Sequence, residues 1–289
     1  MDVIFDGLSL GSARKLLSDK LNAVMDGREA NAVAQLVMEH VTRLDAVELA
    51  LHLRQELSEY ESRKLSEILS RLLKHEPIQY IIGEEDWGGL KIKVAPGVLI
   101  PRPETAQLVD IITDRWADRS DLRVLDVCTG SGCIAVALAL RLKFSAVTAV
   151  DISDVALDVA RENAARYKTR IDFKECDVLN GVCALSGTYN IIVSNPPYIA
   201  ENEKSDMEQR VVEYEPSLAL FVPDDDPLVF YRAIMNMAAE SLDSHGVLYF
   251  EINPRFVDQL KDLAAKILPD REVSLERDLY GRERFMVIS

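Results

Sequence analysis

The chain has little of what would hold nucleic acid, cross a bilayer or build a disulfide scaffold. Among 289 residues, 33 Lys and Arg face 48 Asp and Glu, a formal net charge of −15. Long nucleic acid is gripped by clustered cations that neutralise phosphates, so no stable nucleic-acid partner is expected. Apolar runs are short: Ile134 to Leu140 is far below the roughly 20 residues that span a bilayer. The N-terminus, MDVIFDGLSL, lacks a basic stretch ahead of an apolar core, so neither a signal peptide nor a membrane partner is expected. Only four cysteines occur, Cys128, Cys133, Cys176 and Cys183, with no CxxC spacing and no histidine pair nearby. That argues against a metal site and against a disulfide framework. The expectation is a reduced, cytoplasmic protein whose thiols pack as small apolar groups.

Periodicity divides what is there into three stretches. Residues 1–75 hold amphipathic segments without strand-like alternation, at Ser12–Leu17, Ala30–Val41, Ala46–Leu57 and Lys64–Leu73, which predict a small all-α N-terminal domain. Residues 76–103 carry short apolar runs at Ile78–Ile82, Leu90–Val94 and Leu99–Ile100 around several glycines, which predict short strands in a β-hairpin linker. Residues 104–289 alternate between the two periods. Strands are predicted near Arg123–Val127, Ala146–Val150, Ile171–Lys174, Ile191–Ser194, Gly246–Glu251, Glu272–Glu276 and Arg284–Ile288. Helices are predicted at Glu104–Arg115, Cys133–Leu142, Ser153–Tyr167, Asp226–Ser241 and Pro254–Leu268. Strands joined through helices of this length give right-handed crossovers. The fold class is therefore α/β, a doubly wound, mostly parallel seven-stranded sheet closed at one edge by an antiparallel pair.

The chemistry gathers at strand ends. In VLDVCTGSGCIA, Gly130, Gly132 and Ala135 stand at the spacing G-x-G-x-x-A between a strand and a helix, with Cys128, Thr129 and Ser131 in the same loop. Glycine there permits a tight turn and close backbone approach, and the helix start offers free N–H groups. Asp151 ends the next strand, where a carboxylate can accept from both ribose hydroxyls. Asp126, just ahead of the loop, would repel a pyrophosphate but attract an ammonium. A ribose, a carboxylate and an ammonium together fit S-adenosylmethionine better than NAD. Asp177 and Val178 follow the third strand, where an adenine edge would lie, although Asp177 also reads as a simple turn acid.

Asn195-Pro196-Pro197-Tyr198 closes the fourth strand on the same rim. The prolines fix the backbone and remove donors, leaving the Asn195 side-chain oxygen and the Pro196 carbonyl as acceptors. Two acceptors suit a planar NH2: by bonding both protons they return electron density to a nitrogen that is otherwise a weak nucleophile. The Tyr198 ring would lie along such a flat group.

The series DVCTGSG, AVDIS, SNPPYI, together with PIQYIIG at 77–83, GVLIPRPET at 97–105, YEPSLAL at 214–220 and DLYGRERF at 278–285, resembles the HemK family, the protein-glutamine N5-methyltransferases of peptide chain release factors. The resemblance covers nearly the whole chain. It implies a class I methyltransferase fold behind a helical domain, acting on class 1 release factors; a monomer is expected. It also implies that Thr129 to Gly132, Asp151, Val178 and Asn195 contact S-adenosylmethionine, and that Asn195 to Tyr198 hold the substrate glutamine. Arg102, Glu104 and Thr105 would stand beside the same pocket or, alternatively, hold the hairpin against the sheet, while Glu215 and Pro216 would be scaffold. Departures occur at Ala106, at VPDDDPLVFYR and at EINPRF, where the family has Glu-Ile-Gly. An adenine-N6 or guanine-N2 nucleic-acid methyltransferase is the alternative, since the same acceptor corner serves any planar amine, but a flipped-base enzyme needs a basic surface. A non-catalytic sensor of the cofactor is the other, and the intact corner beside an intact loop speaks against it.

Overall fold

Side-chain caps punctuate the N-terminal helices. Ser9, Asp26, Asp45 and Ser58 each accept a backbone N–H at a helix start, the last two in full capping boxes with Glu48 and Glu61. The structure, a computed structural model, describes residues 4–181, 183 and 185–289. It has helices α1 (Leu10–Leu21), α2 (Gly27–Thr42), α3 (Ala46–Leu51), α4 (Glu59–Leu72) and α5 (Ile78–Ile82), then strands β1 (Glu84–Trp87) and β2 (Leu90–Lys93). The alternating region follows: α6 (Pro103–Arg115), β3 (Arg123–Val127), α7 (Cys133–Arg141), β4 (Ala146–Asp151), α8 (Asp154–Arg166), β5 (Ile171–Glu175) and β6 (Tyr189–Ser194). The remainder is β7 (Ile199–Ala200), α9 (Gln209–Tyr214), α10 (Ser217–Leu220), β8 (Phe221–Val222), α11 (Val229–Ser241), β9 (Leu242–Glu251), α12 (Val257–Ile267), β10 (Val273–Arg277) and β11 (Glu283–Ile288).

Two units result. The smaller comprises residues up to Gly83 with Glu208–Tyr214; the larger comprises Glu84–Met207 and Glu215–Ser289. In the smaller unit, α2 buries Ala30, Val33, Ala34, Val37, Met38 and Val41, and α4 buries Leu65, Ile68, Leu69 and Leu72, the stripe that three- and four-residue spacing predicts. α9 belongs here through Tyr214, whose hydroxyl donates to the Lys74 carbonyl at 2.6 Å, and through Arg210, which pairs with Glu29.

In the larger unit a seven-stranded sheet runs in the order β10-β11-β9-β6-β3-β4-β5. The five strands β9 to β5 pair in parallel, and β11 joins β9 and β10 antiparallel, as the pattern predicts. Successive residues feed opposite faces: Val124, Ile191, Val193 and Tyr249 enter one core layer, Leu125, Ile192, Leu248 and Phe250 the other. β3 and β6 lie at the centre, so their carboxyl ends, which carry the glycine loop and the Asn-Pro-Pro-Tyr corner, open side by side.

Several expectations need correction. Ile78–Ile82 is a short helix rather than a strand, opened by Pro77 and closed by Gly83 at φ 87°. Leu99–Ile100 is not in a strand, because the Ile100 N–H is taken by the Glu215 carboxylate instead of a ladder. The segment Ala46–Leu57 is helical only to Leu51; beyond it the carbonyls of Leu53 and Gln55 accept from Gly11 and Leu10 and hold the chain against the start of α1. The helix expected from Pro254 opens as a short 3-10 turn and becomes α12 at Val257. The β1–β2 hairpin belongs to the larger unit, where the Asn163 side chain of α8 bonds both the N–H and the carbonyl of Lys93. Cys176 and Cys183 are joined in a disulfide rather than packed as separate thiols. The loop leaving β5 folds back and brings their Cα atoms to 4.8 Å, within disulfide reach.

Candidate active site

The loop after β3 is shaped by two glycines and one acid. Gly130 and Gly132 both have positive φ, 54° and 77°, and a Cβ on Gly132 would stand 2.8 Å from Ala160 Cβ on α8, so helix and loop pack only without one. Asp126 is fully buried beneath the loop. Its Oδ2 accepts from Thr129 Oγ1 at 2.5 Å and from the Ala135 N–H at 3.2 Å, while Oδ1 has no hydrogen-bond partner among the described residues. Burial pushes its carboxyl up to about 7, against the two hydrogen bonds, which lower it. Cys128 takes a left-handed backbone at φ 61°, and burial raises both its thiol and that of Cys133.

Asp151, ending β4, is pinned from two sides. Gly130 N–H donates to Oδ2 at 2.8 Å and Ser153 N–H to Oδ1 at 3.0 Å, and burial raises its pKa despite these bonds. Asp177 accepts from the Leu179 and Asn180 N–H groups and the Asn180 side chain, so it is also the turn acid that its sequence position allowed.

A cavity of about 180 Å³ lies over these strand ends. Its wall brings together Cys128, Thr129, Gly130 and Ser131 from the loop, Asp151 from β4, and Asp177 with Val178 after β5. Asn195 and Pro197 line it from the corner after β6, and Arg102 with Thr105 from the start of α6. Ser131 Oγ is buried in this wall beside the Cys133 thiol, with no hydrogen-bond partner at ordinary distance among the described residues. Five sequence-predicted residues lie outside it. Asp126 and Gly132 support the loop from below, Glu104 sits in the first turn of α6, Pro196 is buried, and the Tyr198 hydroxyl turns inward to donate to Glu251 Oε1 at 3.0 Å.

Arg102 is fixed at both ends. Its guanidinium meets Glu215 Oε1 at 2.5 Å and its carbonyl accepts from Trp87 Nε1 at 2.7 Å. Glu215, with a side chain only 1% exposed, also accepts from the Ile100 N–H, so it ties the LIPRPET and YEPS segments together as scaffold. Sequence reasoning passed over Glu251 at the end of β9. It is 1% exposed, and Thr105 Oγ1 donates to its Oε2 at 2.7 Å, while Asn195 Nδ2 donates to Thr105 Oγ1 at 3.2 Å. The available signal was a charged residue ending the apolar run Val247 to Phe250, which requires a buried partner. Asn253, where the family pattern has glycine, donates to the Tyr198 carbonyl at 3.1 Å and to Glu203, which braces the exit of the corner.

Comparison with known proteins agrees across both units. The family model described as PrmC N-terminal domain matches residues 12–83, and the one described as Methyltransferase small domain matches residues 104–217. A release factor glutamine methyltransferase of Bacteroides thetaiotaomicron is 41% identical, over 93% of this chain and 96% of its own. One of Flavobacterium psychrophilum is 38% identical over 93% and 95%, and one of Streptococcus pneumoniae 39% identical over 92% and 93%.

Proposed function

Because the chain belongs to the release factor glutamine methyltransferase family, we propose that it transfers a methyl group from S-adenosylmethionine to the side-chain amide nitrogen of the glutamine in the Gly-Gly-Gln motif of class 1 peptide chain release factors. The observation that carries this reading is the cavity wall on which a glycine loop, a pinned Asp151 carboxylate and Asn195 meet. Asp151 accepts from ribose hydroxyls, its carboxylate already oriented by Gly130 and Ser153. The Ser131 hydroxyl on the cavity wall and the N–H groups opening α7 suit a ligand carboxylate, while Asp126, buried beneath the loop, holds the loop's shape through Thr129 and Ala135. Asp177 and Val178 bound the space left for adenine.

S-adenosylmethionine supplies a methyl on a sulfonium, whose C–S bond breaks as the amide nitrogen gains its N–C bond. Asn195 Oδ1 and the Pro196 carbonyl accept the two amide protons and hold the nitrogen lone pair free of its carbonyl. The methylated nitrogen is acidic, and its extra proton leaves to water. Arg102 and Thr105 stand on the substrate side, and residues 1–75 dock the protein substrate. A monomer working in the cytoplasm is part of the same reading.

The test offers labelled S-adenosylmethionine with either release factor or nucleic acid, followed by mass spectrometry. One added methyl on the glutamine is the expected result; label in nucleic acid alone would sink the reading. Asn195→Ala is expected to keep cofactor binding while turnover falls by a factor of about 10² to 10³, the loss typical of one reaction-centre hydrogen bond.

A further inference from the structure

We infer that Glu251 is a positioning residue that acts through Thr105 to decide which end of the Asn195 carboxamide faces the substrate. The inference deepens the functional reading above and rests on it. A side-chain amide has a donor end and an acceptor end, and a substrate NH2 needs the acceptor. A hydroxyl carries one proton, and the Thr105 proton goes to Glu251 Oε2 at 2.7 Å. Its oxygen is then left as an acceptor, and it takes the Asn195 Nδ2 proton at 3.2 Å. With its NH2 end held, Asn195 presents Oδ1 to the substrate.

The direction of this chain is set at Glu251, which accepts at both side-chain oxygens; burial raises its pKa, and the Thr105 and Tyr198 hydrogen bonds oppose that rise. Both Glu251 oxygens are occupied by donors, Thr105 on one and the Tyr198 hydroxyl on the other at 3.0 Å, so one carboxylate aligns the two ends of the Asn-Pro-Pro-Tyr corner. Thr105 and Glu251 are 2% and 1% exposed, which keeps water from substituting for either partner. A glutamine at position 251 has the same shape but can also donate, and the order of donors and acceptors is lost. Among the described residues the Glu251 side chain hydrogen-bonds to Thr105 and Tyr198 and not to the glycine loop or Asp151, so its effect is expected on the reacting amide rather than on cofactor binding.

The experiment measures steady-state methylation of release factor, and calorimetric S-adenosylmethionine binding, for wild type, Glu251→Gln, Thr105→Val, Thr105→Ser and the double variant Glu251→Gln/Thr105→Val. Glu251→Gln and Thr105→Val should each lower kcat by about 10- to 100-fold, the usual effect of removing a support for a reacting side chain. The release factor KM and the cofactor Kd should stay within about threefold. Thr105→Ser, which keeps the hydroxyl, should restore kcat, and the double variant should be no slower than the worse single, since both break one chain. Thr105→Val keeps the test open if Glu251→Gln does not fold. A wild-type kcat in Glu251→Gln, a Thr105→Ser as slow as Thr105→Val, or kcat and cofactor affinity falling together would each overturn the inference while wild type remains active. A wild-type protein that leaves release factor unmethylated overturns the functional reading, and the inference with it.

Discussion

Asp126 holds the glycine loop at an electrostatic cost that depends on pH. Its carboxyl, raised from 3.8 to about 7 by burial, is neutral in the folded protein and ionised in the unfolded chain between those values. The folded state therefore binds the extra proton, and stability is lost as pH rises through that window, by at most about 1.4 kcal/mol per unit. Asp126→Asn removes the titration. Denaturant unfolding at steps from pH 4 to 8 should show the variant gaining on wild type up to about pH 7 and running parallel above it. A difference that stays constant across the range would mean the carboxyl is not neutral when folded. Much of this site was legible because glycine spacing and strand-end acids are local signals. Glu251 was not: its partners Thr105 and Tyr198 lie 146 and 53 residues away, and only the sheet order brings them together. The same holds for the inward turn of the Tyr198 hydroxyl toward Glu251.

The two loop glycines look alike in sequence yet differ in what surrounds them. A Cβ at Gly130 meets nothing within 4 Å, whereas one at Gly132 collides with Ala160 of α8 at 2.8 Å. Gly130→Ala should lose only the backbone preference, about 1 to 2 kcal/mol, while placing a methyl in the cavity wall and weakening cofactor binding. Gly132→Ala should lose that and several further kcal/mol as α8 is pushed off the loop. Thermal unfolding and cofactor titration separate the cases; equal destabilisation would show that α8 yields. The strand and helix pattern of the larger unit was readable because each element is long enough to show its period. Ile78–Ile82 was misread because five apolar residues show no period at all. Its identity lies in its ends, with Pro77 before and a left-handed Gly83 after, where an extended run has no use for either. Likewise α3 stops at Leu51 although the apolar stripe continues, since the following carbonyls serve α1.

The formal charge of −15 acts on the molecule in two opposed ways. Like charges repel within the folded protein, and salt relieves this by shortening the screening length, to about 8 Å at 0.15 M. The same field draws in a substrate protein with a basic face and speeds encounter, an effect that salt weakens. Raising salt from about 0.02 to 0.2 M should therefore increase the thermal midpoint and decrease kcat/KM for release factor, with kcat itself unchanged. The two readouts move in opposite directions, so a general loss of folding cannot imitate the second. If kcat/KM does not respond to salt, the acidic surface plays no part in docking, and recognition rests on the pocket and on uncharged contacts of the helical unit. If kcat falls as well, salt acts on the reaction centre rather than on encounter. The burial of Glu251 and Thr105 behind Asn195, which shields them from ions, gives a reason to expect that it does not.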